Sequence, residues 1–346
     1  MAPRVSVVIP VYNPGRLLES SLGSARRQTY GDLEIIPVDD AGAEPVRPAL
    51  EAASKADPRV RPVFHIANRG LSAALNSGLA SASGELILVL EQDCEIQSPD
   101  ALERAVALTD YDPALCLTGE RRLPYGEVSA AEAAFHLLRD HLPDARDADL
   151  SPQAFSELKC DLFPRVALER CGGFDESFRF SGEDQMLGFR LRQAGFRLRK
   201  SRALAYTLRS PGMSRVSANL RREFTYGRTQ AALLLRTSLG SLRSSARDAQ
   251  GARRISNRGL STLSGACLLL APLLALLAAH PAFALLAAPA VARMVVVVRR
   301  GARLPRDFSK RRNAVALAVA LGPVDDATYV VALGFGALEY LAKGKS

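Results

Sequence analysis

Four strand-length apolar runs, spaced by stretches of helical periodicity, constrain this chain most. They are Val5 to Pro10 (VSVVIP), Leu33 to Val38 (LEIIPV), Val60 to His65, and Leu86 to Leu90 (LILVL). Between them, residues 16–29, 45–56 and 70–81 carry apolar residues at helical spacing. Strand and helix thus alternate, which predicts an α/β fold with a mostly parallel sheet covered by helices on both faces. Such sheets bind ligands beyond the carboxyl ends of their strands. The polar clusters of this half fall there: Tyr12-Asn13, Asp39-Asp40 and Glu91-Gln92-Asp93. Each alone reads as turn chemistry. Together they form a convergent acidic rim.

A second acidic group lies in GGFDESFRFSGEDQMLGFRLRQAG, residues 172–195. An amphipathic helix is predicted from Gln185, with Gly195 as its C-terminal stop. Glu183-Asp184 therefore sits at or near a helix N-terminus. A carboxylate there is favoured in its ionised form and suits a general base; the plainer reading is a helix cap. Glu91-x-Asp93, behind a fully apolar strand, offers two oxygen ligands to a hard divalent cation, Mg²⁺ or Mn²⁺. Such an ion would neutralise charge on a leaving diphosphate.

VSVVIPVYN, Gln28-Thr29-Tyr30, LEIIPVDD, NRGLSAALNSGL, GELILVLEQD and the 172–195 segment occur in that order. Together they resemble the family-2 glycosyltransferases of GT-A fold, especially rhamnosyltransferase-like members, over roughly residues 4–230. The resemblance implies an inverting transfer of one sugar from a nucleotide-diphosphate donor. It implies a nucleotide-sugar-binding set of Pro10, Tyr12, Asn13, Asp39, Asp40, Asn68, Gly70, Asn76 and Gln92. It gives the metal to Asp93, helped by Glu91 where the family more often has Asp, and the base role to Asp184, with Glu183 beside it. An inverting displacement needs one carboxylate on the acceptor side and charge stabilisation on the leaving-group side, so Asp93 and Asp184 are expected to face each other across the donor sugar.

The sequence departs from the family pattern in two places. Leu75 stands where an arginine is frequent, and Glu91 is a methylene longer than the usual ligand. With no tryptophan in the chain, the QxxRW motif of processive synthases is absent and single-sugar addition is expected. The insertion 127–163 shapes the acceptor site in the family; His136, His141 and Asp161 are its candidates.

The five cysteines show no CxxC pair, so neither a zinc site nor a disulfide framework is indicated, and a reducing compartment fits. No signal peptide is expected from the N-terminus. The net charge of +9 suits nucleic acid, anionic lipid or a phosphate-bearing substrate, but no nucleic-acid module is recognisable.

Mean hydropathy is +0.02, and the apolar excess lies after residue 260. Residues 214–236 fit a membrane-surface helix or a soluble packing helix. Residues 261–298 read as a transmembrane hairpin turning at His280-Pro281, with Arg293 snorkelling to the interface. Its basic flanks place both ends in the cytoplasm. Residues 314–342 are apolar but broken by Gly322-Pro323-Val324-Asp325-Asp326, which favours two short helices in a re-entrant or interfacial hairpin over a clean span, with a pair of spans as the alternative. The expected organisation is a catalytic domain over 1–212, interfacial helices and connector over 213–258, and a membrane region over 259–346. The expected function is a cytoplasm-facing glycosyltransferase at the inner or plasma membrane with a lipid-linked or membrane-proximal acceptor. The alternatives are a polyprenyl-phosphate sugar synthase and a non-catalytic nucleotide-sugar-binding scaffold subunit.

Overall fold

The computed structural model describes residues 3–109, 112–122, 128–139, 150–153, 155–178, 182–208, 215–236, 262–267, 269, 283–304 and 308–343. The chain divides into two compact units, Met1–Arg122 with Arg146–Arg209, and Leu123–Ala145 with Ser210–Ser346.

In the first unit β1 (Val5–Val11), β2 (Leu33–Asp39), β3 (Val63–Phe64) and β4 (Leu86–Leu90) alternate with α1 (Leu17–Arg26), α2 (Arg47–Ala56) and α3 (Leu71–Ser81). β1 pairs in parallel with both β2 and β4, and every residue of β1 and β4 is buried. A strand buried on both faces needs a continuous apolar run, which is why these strands were legible. The third strand is shorter than expected: only Val63 and Phe64 pair with β2, and Val60 makes an isolated bridge to Ile35. α3 lies so close to β1 that a Cβ on Gly78 would come within 2.2 Å of Val8 Cγ1.

The unit continues through β5 (Cys94–Ile96), α4 (Ala101–Thr109), β6 (Leu115–Arg122), β7 (Ser151–Pro152), β8 (Cys160–Pro164), α6 (Arg165–Arg170), α7 (Glu183–Gln193) and β9 (Arg197–Leu208). The sheet order is β3-β2-β1-β4-β8-β6-β9-β5, with β7 on β9. β8 is antiparallel to both β4 and β6, so the far half of the sheet is mixed. The sequence reading placed β8 inside a poorly patterned insertion, whereas it is a fully buried central strand. Five residues that include Asp161 and end in proline carry too little periodicity to stand out. Leu75, at the frequent-arginine position, packs in the core with Val8, Val38 and Leu187.

The second unit is helical: α5 (Ala130–Arg139), α8 (Val216–Arg236), α9 (Phe283–Gly301) and α10 (Arg311–Lys343), with residues 262–267 also helical. Two expectations are corrected. α10 is one continuous helix through Pro323, not two short ones. Arg293 does not snorkel: it is 4% exposed and pairs with the fully buried Asp326 at 3.4 Å. The pairing answers the burial cost that argued against acids in this segment. Among the described residues one helical stretch, Arg311–Glu339, is long and apolar enough to cross a membrane. The expected turn at 280–281 and the basic connector 243–258 lie outside the described residues, as does His141.

Candidate active site

Strand register builds the acidic rim. In the antiparallel β4–β8 ladder Leu90 faces Cys160. One step further, Glu91 faces Lys159, and Glu91 N–H donates to the Lys159 carbonyl at 3.0 Å. The Lys159 ammonium contacts Glu91 Oε2 directly and lies 3.9 Å from Asp93 Oδ1. All three side chains are largely buried. Burial works against the lysine's charge, but Glu91 and Asp93 outweigh it and hold the ammonium protonated well above its usual range. The pair expected to hold a divalent cation thus faces a lysine that the sequence reading overlooked. Among the described residues no group of three or more His, Cys, Asp or Glu side chains gathers to hold a metal. The Glu91 and Asp93 oxygens suit a hard cation chemically, but Lys159 already sits against them.

Glu183 and Asp184 open α7 behind Gly182, whose φ of 103° needs glycine. Both carboxyls are pushed up, chiefly by burial. Asp184 raises Glu183 further. Glu157 and Glu91 raise Asp184, whereas Lys159 and the hydrogen bond from Gln185 N–H lower it. The helix N-terminus favours the ionised form as a partial charge, and desolvation opposes it, so both carboxyls hold protons more tightly than exposed ones would. Glu183 Oε2 is buried without a hydrogen-bond partner. Glu91 and Lys159 act electrostatically on both carboxyls, so two acidic clusters some ninety positions apart in sequence lie within electrostatic range of each other.

Other members of the site escaped the sequence reading. Glu157 accepts from Tyr206 Oη–H at 3.3 Å and lies 3.6 Å from Lys200. Burial would raise its carboxyl, but Lys200 and Arg121 prevail and hold it low. A Glu and a Lys flanking Leu158 just ahead of a short apolar run were the available signal.

The predicted donor-binding residues divide by role. Tyr12 is 49% exposed at the β1 end, and Gln92 brackets its main chain, accepting from Tyr12 N–H at 2.8 Å and donating to its carbonyl at 3.0 Å. Asn13, at φ 44°, accepts from Glu44 N–H at 3.0 Å. Pro10 is buried in β1 opposite Val38. Asp39 accepts from Ala41 N–H at 3.1 Å. Asp40 is 3% exposed and organises the loop ahead of α3. It accepts from Asn68 Nδ2 (2.8 Å), Arg69 N–H (2.9 Å) and Gly70 N–H (2.8 Å), and pairs with His65 Nδ1 (2.7 Å). Asn76 binds the 174–176 loop.

Of the insertion candidates, Asp161 is a buried anchor accepting from Ser156, Leu158 N–H and Gly119 N–H. Burial pushes it up to about 6. His136 is buried on α5 in the second unit.

Residues 6–162 match the family model of glycosyl transferase family 2. Protein y4gI of Sinorhizobium fredii is 41% identical over 113 residues, 32% of this chain and 12% of that protein. The succinoglycan biosynthesis protein ExoO of Rhizobium meliloti is 37% identical over 108 residues, 31% of this chain and 30% of that protein. These matches thus span less than a third of either relative. Among solved structures, the mannosyltransferase PcManGT of Pyrobaculum calidifontis, in complex with GDP-Man and Mn²⁺, superposes with a TM-score of 0.59. That likeness has 20% identity and covers 98% of this chain and 88% of that one; it shows the shared GT-A fold.

Proposed function

We propose, from the premise that this chain carries a family-2 glycosyltransferase domain of GT-A fold, that the protein transfers a single sugar with inversion from a nucleotide-diphosphate donor. The acceptor hydroxyl oxygen attacks the anomeric carbon as its proton passes to Asp184. The bond from that carbon to the diphosphate oxygen breaks, and the leaving group departs with the electron pair. Glu183 sets the field around the base. A divalent cation, held by Glu91 and Asp93 when bound, would supply charge neutralisation on the diphosphate. Tyr12 and its neighbours at the β1 and β2 ends face the nucleoside.

One observation supports this reading: a carboxyl pair at the start of α7, destabilised as anions by burial, feels the charges of Glu91 and Lys159, and that lysine lies between Glu91 and Asp93. A general base needs proton affinity near the working pH, and a surface helix cap would not have it. The likeness to ExoO, a succinoglycan biosynthesis protein, supports glycan biosynthesis as the setting.

A membrane-proximal acceptor is supported by the second unit. α9 exposes Val291, Met294, Val295 and Val298, spaced to form one helix face. α10 exposes Val324, Val331, Phe335 and Leu338. Contiguous exposed apolar faces mark contact with lipid or a partner. We assign them to the cytoplasmic face of the inner or plasma membrane, with a lipid-linked acceptor there.

The test pairs Asp184→Asn with a panel of nucleotide-sugars. Transfer should be abolished, while thermal stabilisation by the preferred donor persists. Transfer at the normal rate by Asp184→Asn removes the base assignment.

A further inference from the structure

Lys159 is tied to its position by the sheet. The β4–β8 ladder fixes its main chain opposite Glu91, and its side chain runs back to both Glu91 and Asp93. It is 14% exposed, as Asp93 is, and Glu91 is 19% exposed. This is therefore not a solvent-screened surface pair. A hard divalent ion at these oxygens would need its ligands at about 2.0–2.6 Å. An ammonium in contact with Glu91 Oε2 takes a lone pair that the ion would use, and its charge repels an ion at the neighbouring oxygens.

We propose that Lys159 is an internal counter-cation that competes with a divalent ion for Glu91 and Asp93. The inference rests on the metal role given to that pair above and adds a specificity-determining residue to it. In the free protein the lysine supplies the positive charge that the surrounding acids require. Its charge also reaches Glu183 and Asp184, where it opposes the upward push from their acidic neighbours. An incoming ion must displace the ammonium, so the ion gains hold only when donor diphosphate oxygens complete its shell. The displaced ammonium carries a charge that the same diphosphate attracts.

The experiment is Mn²⁺ binding to the full chain without donor, followed by electron paramagnetic resonance of the free ion. Lys159→Met should bind Mn²⁺ about tenfold or more tighter than wild type, since a charge in contact with both ligands is removed. Adding Asp93→Ala to Lys159→Met should abolish the gain. Equal affinity in wild type and Lys159→Met overturns the proposal, as does a gain that survives Asp93→Ala. Because Lys159→Met leaves buried acids uncompensated, Lys159→Gln is measured beside it, with thermal unfolding with and without Mn²⁺. Both variants should melt lower than wild type and recover with Mn²⁺. Lower melting that Mn²⁺ does not repair also overturns the competition. None of these readouts measures sugar transfer, so their failure is distinguishable from failure of the glycosyltransferase reading.

Discussion

Asn76 on α3 and Phe174 in the loop before α7 are joined by a reciprocal amide pair. Asn76 Oδ1 accepts from Phe174 N–H, and Nδ2 donates to the Phe174 carbonyl, both at 2.9 Å. Nδ2 also reaches Glu176 Oε1 at 2.9 Å. The loop closes so tightly on this amide that a Cβ on Gly173, at φ +74°, would come within 2.6 Å of Asn76 Oδ1. The side chain expected at the nucleotide-sugar holds the 174–176 loop ahead of Glu183 and Asp184.

Asn76→Ala should therefore act through that segment. It leaves the Phe174 main chain without two partners, a loss on the order of 1–3 kcal/mol. Chemical denaturation should show that loss, and kcat should fall more than donor affinity. Donor affinity that collapses with stability unchanged would place Asn76 on the ligand.

The sequence showed the fold where physics made it periodic. β1, β2 and β4 are buried on both faces and read as apolar runs, interrupted inside only by Ser6 and Glu34. The helices between them bury one face and read as 3.6-residue repeats. β8 did not show, because a five-residue strand holding Asp161 looks like a loop until its neighbours are known. Lys159 was hidden for the same reason: its role comes from the antiparallel register with β4, and register between distant segments is a tertiary fact. Glu183 and Asp184 were found, but the burial that raises both carboxyls was not, since local helix geometry says nothing about burial. Asp40 was found as a strand-end acid, but its four hydrogen-bonding partners, which make it the anchor of the 65–70 loop, were not legible because they too are tertiary.

Asp40→Asn tests that anchor. The new amide nitrogen must face at least one of Asn68 Nδ2, Arg69 N–H and Gly70 N–H, donor against donor. The expected cost is about 1–3 kcal/mol in unfolding free energy, from an unsatisfied buried group. Donor-induced stabilisation should weaken with it, because the loop before α3 loses its shape. A variant with wild-type stability and lost donor binding would return Asp40 to direct ligand contact.

The raised carboxyls predict a pH dependence. Glu183, buried and beside Asp184, has its folded-state pKa pushed above that of an unfolded glutamate, to about 8. The folded state therefore binds protons that the unfolded state has released. The resulting stability is fully present below the unfolded pKa and is lost as pH rises through the folded value. Glu183→Gln carries no such charge. Wild type should lose stability relative to Glu183→Gln as pH is raised from about 5 to 9. Melting temperatures across that range check the sign; parallel curves would contradict it.

Glu157 gives the kinetic counterpart. After burial, its negative charge does most to raise Asp184. Glu157→Gln should shift the acid limb of the transfer rate to lower pH, as the base then gives up its proton more readily. Lys159→Gln removes an opposing charge and should shift the limb upward. Two shifts of the same sign would mean that the titrating group is not Asp184.

In the helical unit the test concerns charge rather than acidity. The last carbonyls of a helix lack partners within it. On α5 they are met by arginines one heptad apart on α9: Arg293 Nη2 donates to the Leu138 carbonyl at 2.8 Å, and Arg300 Nη1 to the Leu137 carbonyl at 2.9 Å. Asp326 then balances Arg293, with both side chains almost wholly buried. Asp326→Ala strands a buried guanidinium and should cost about 3–5 kcal/mol. Arg293→Met with Asp326→Leu removes both charges, forfeits the bond to Leu138, and should cost markedly less than the single change. Melting of the two variants in detergent decides the order. A double variant less stable than Asp326→Ala would show that Arg293 holds α5 chiefly through its bond to Leu138, with Asp326 a minor partner.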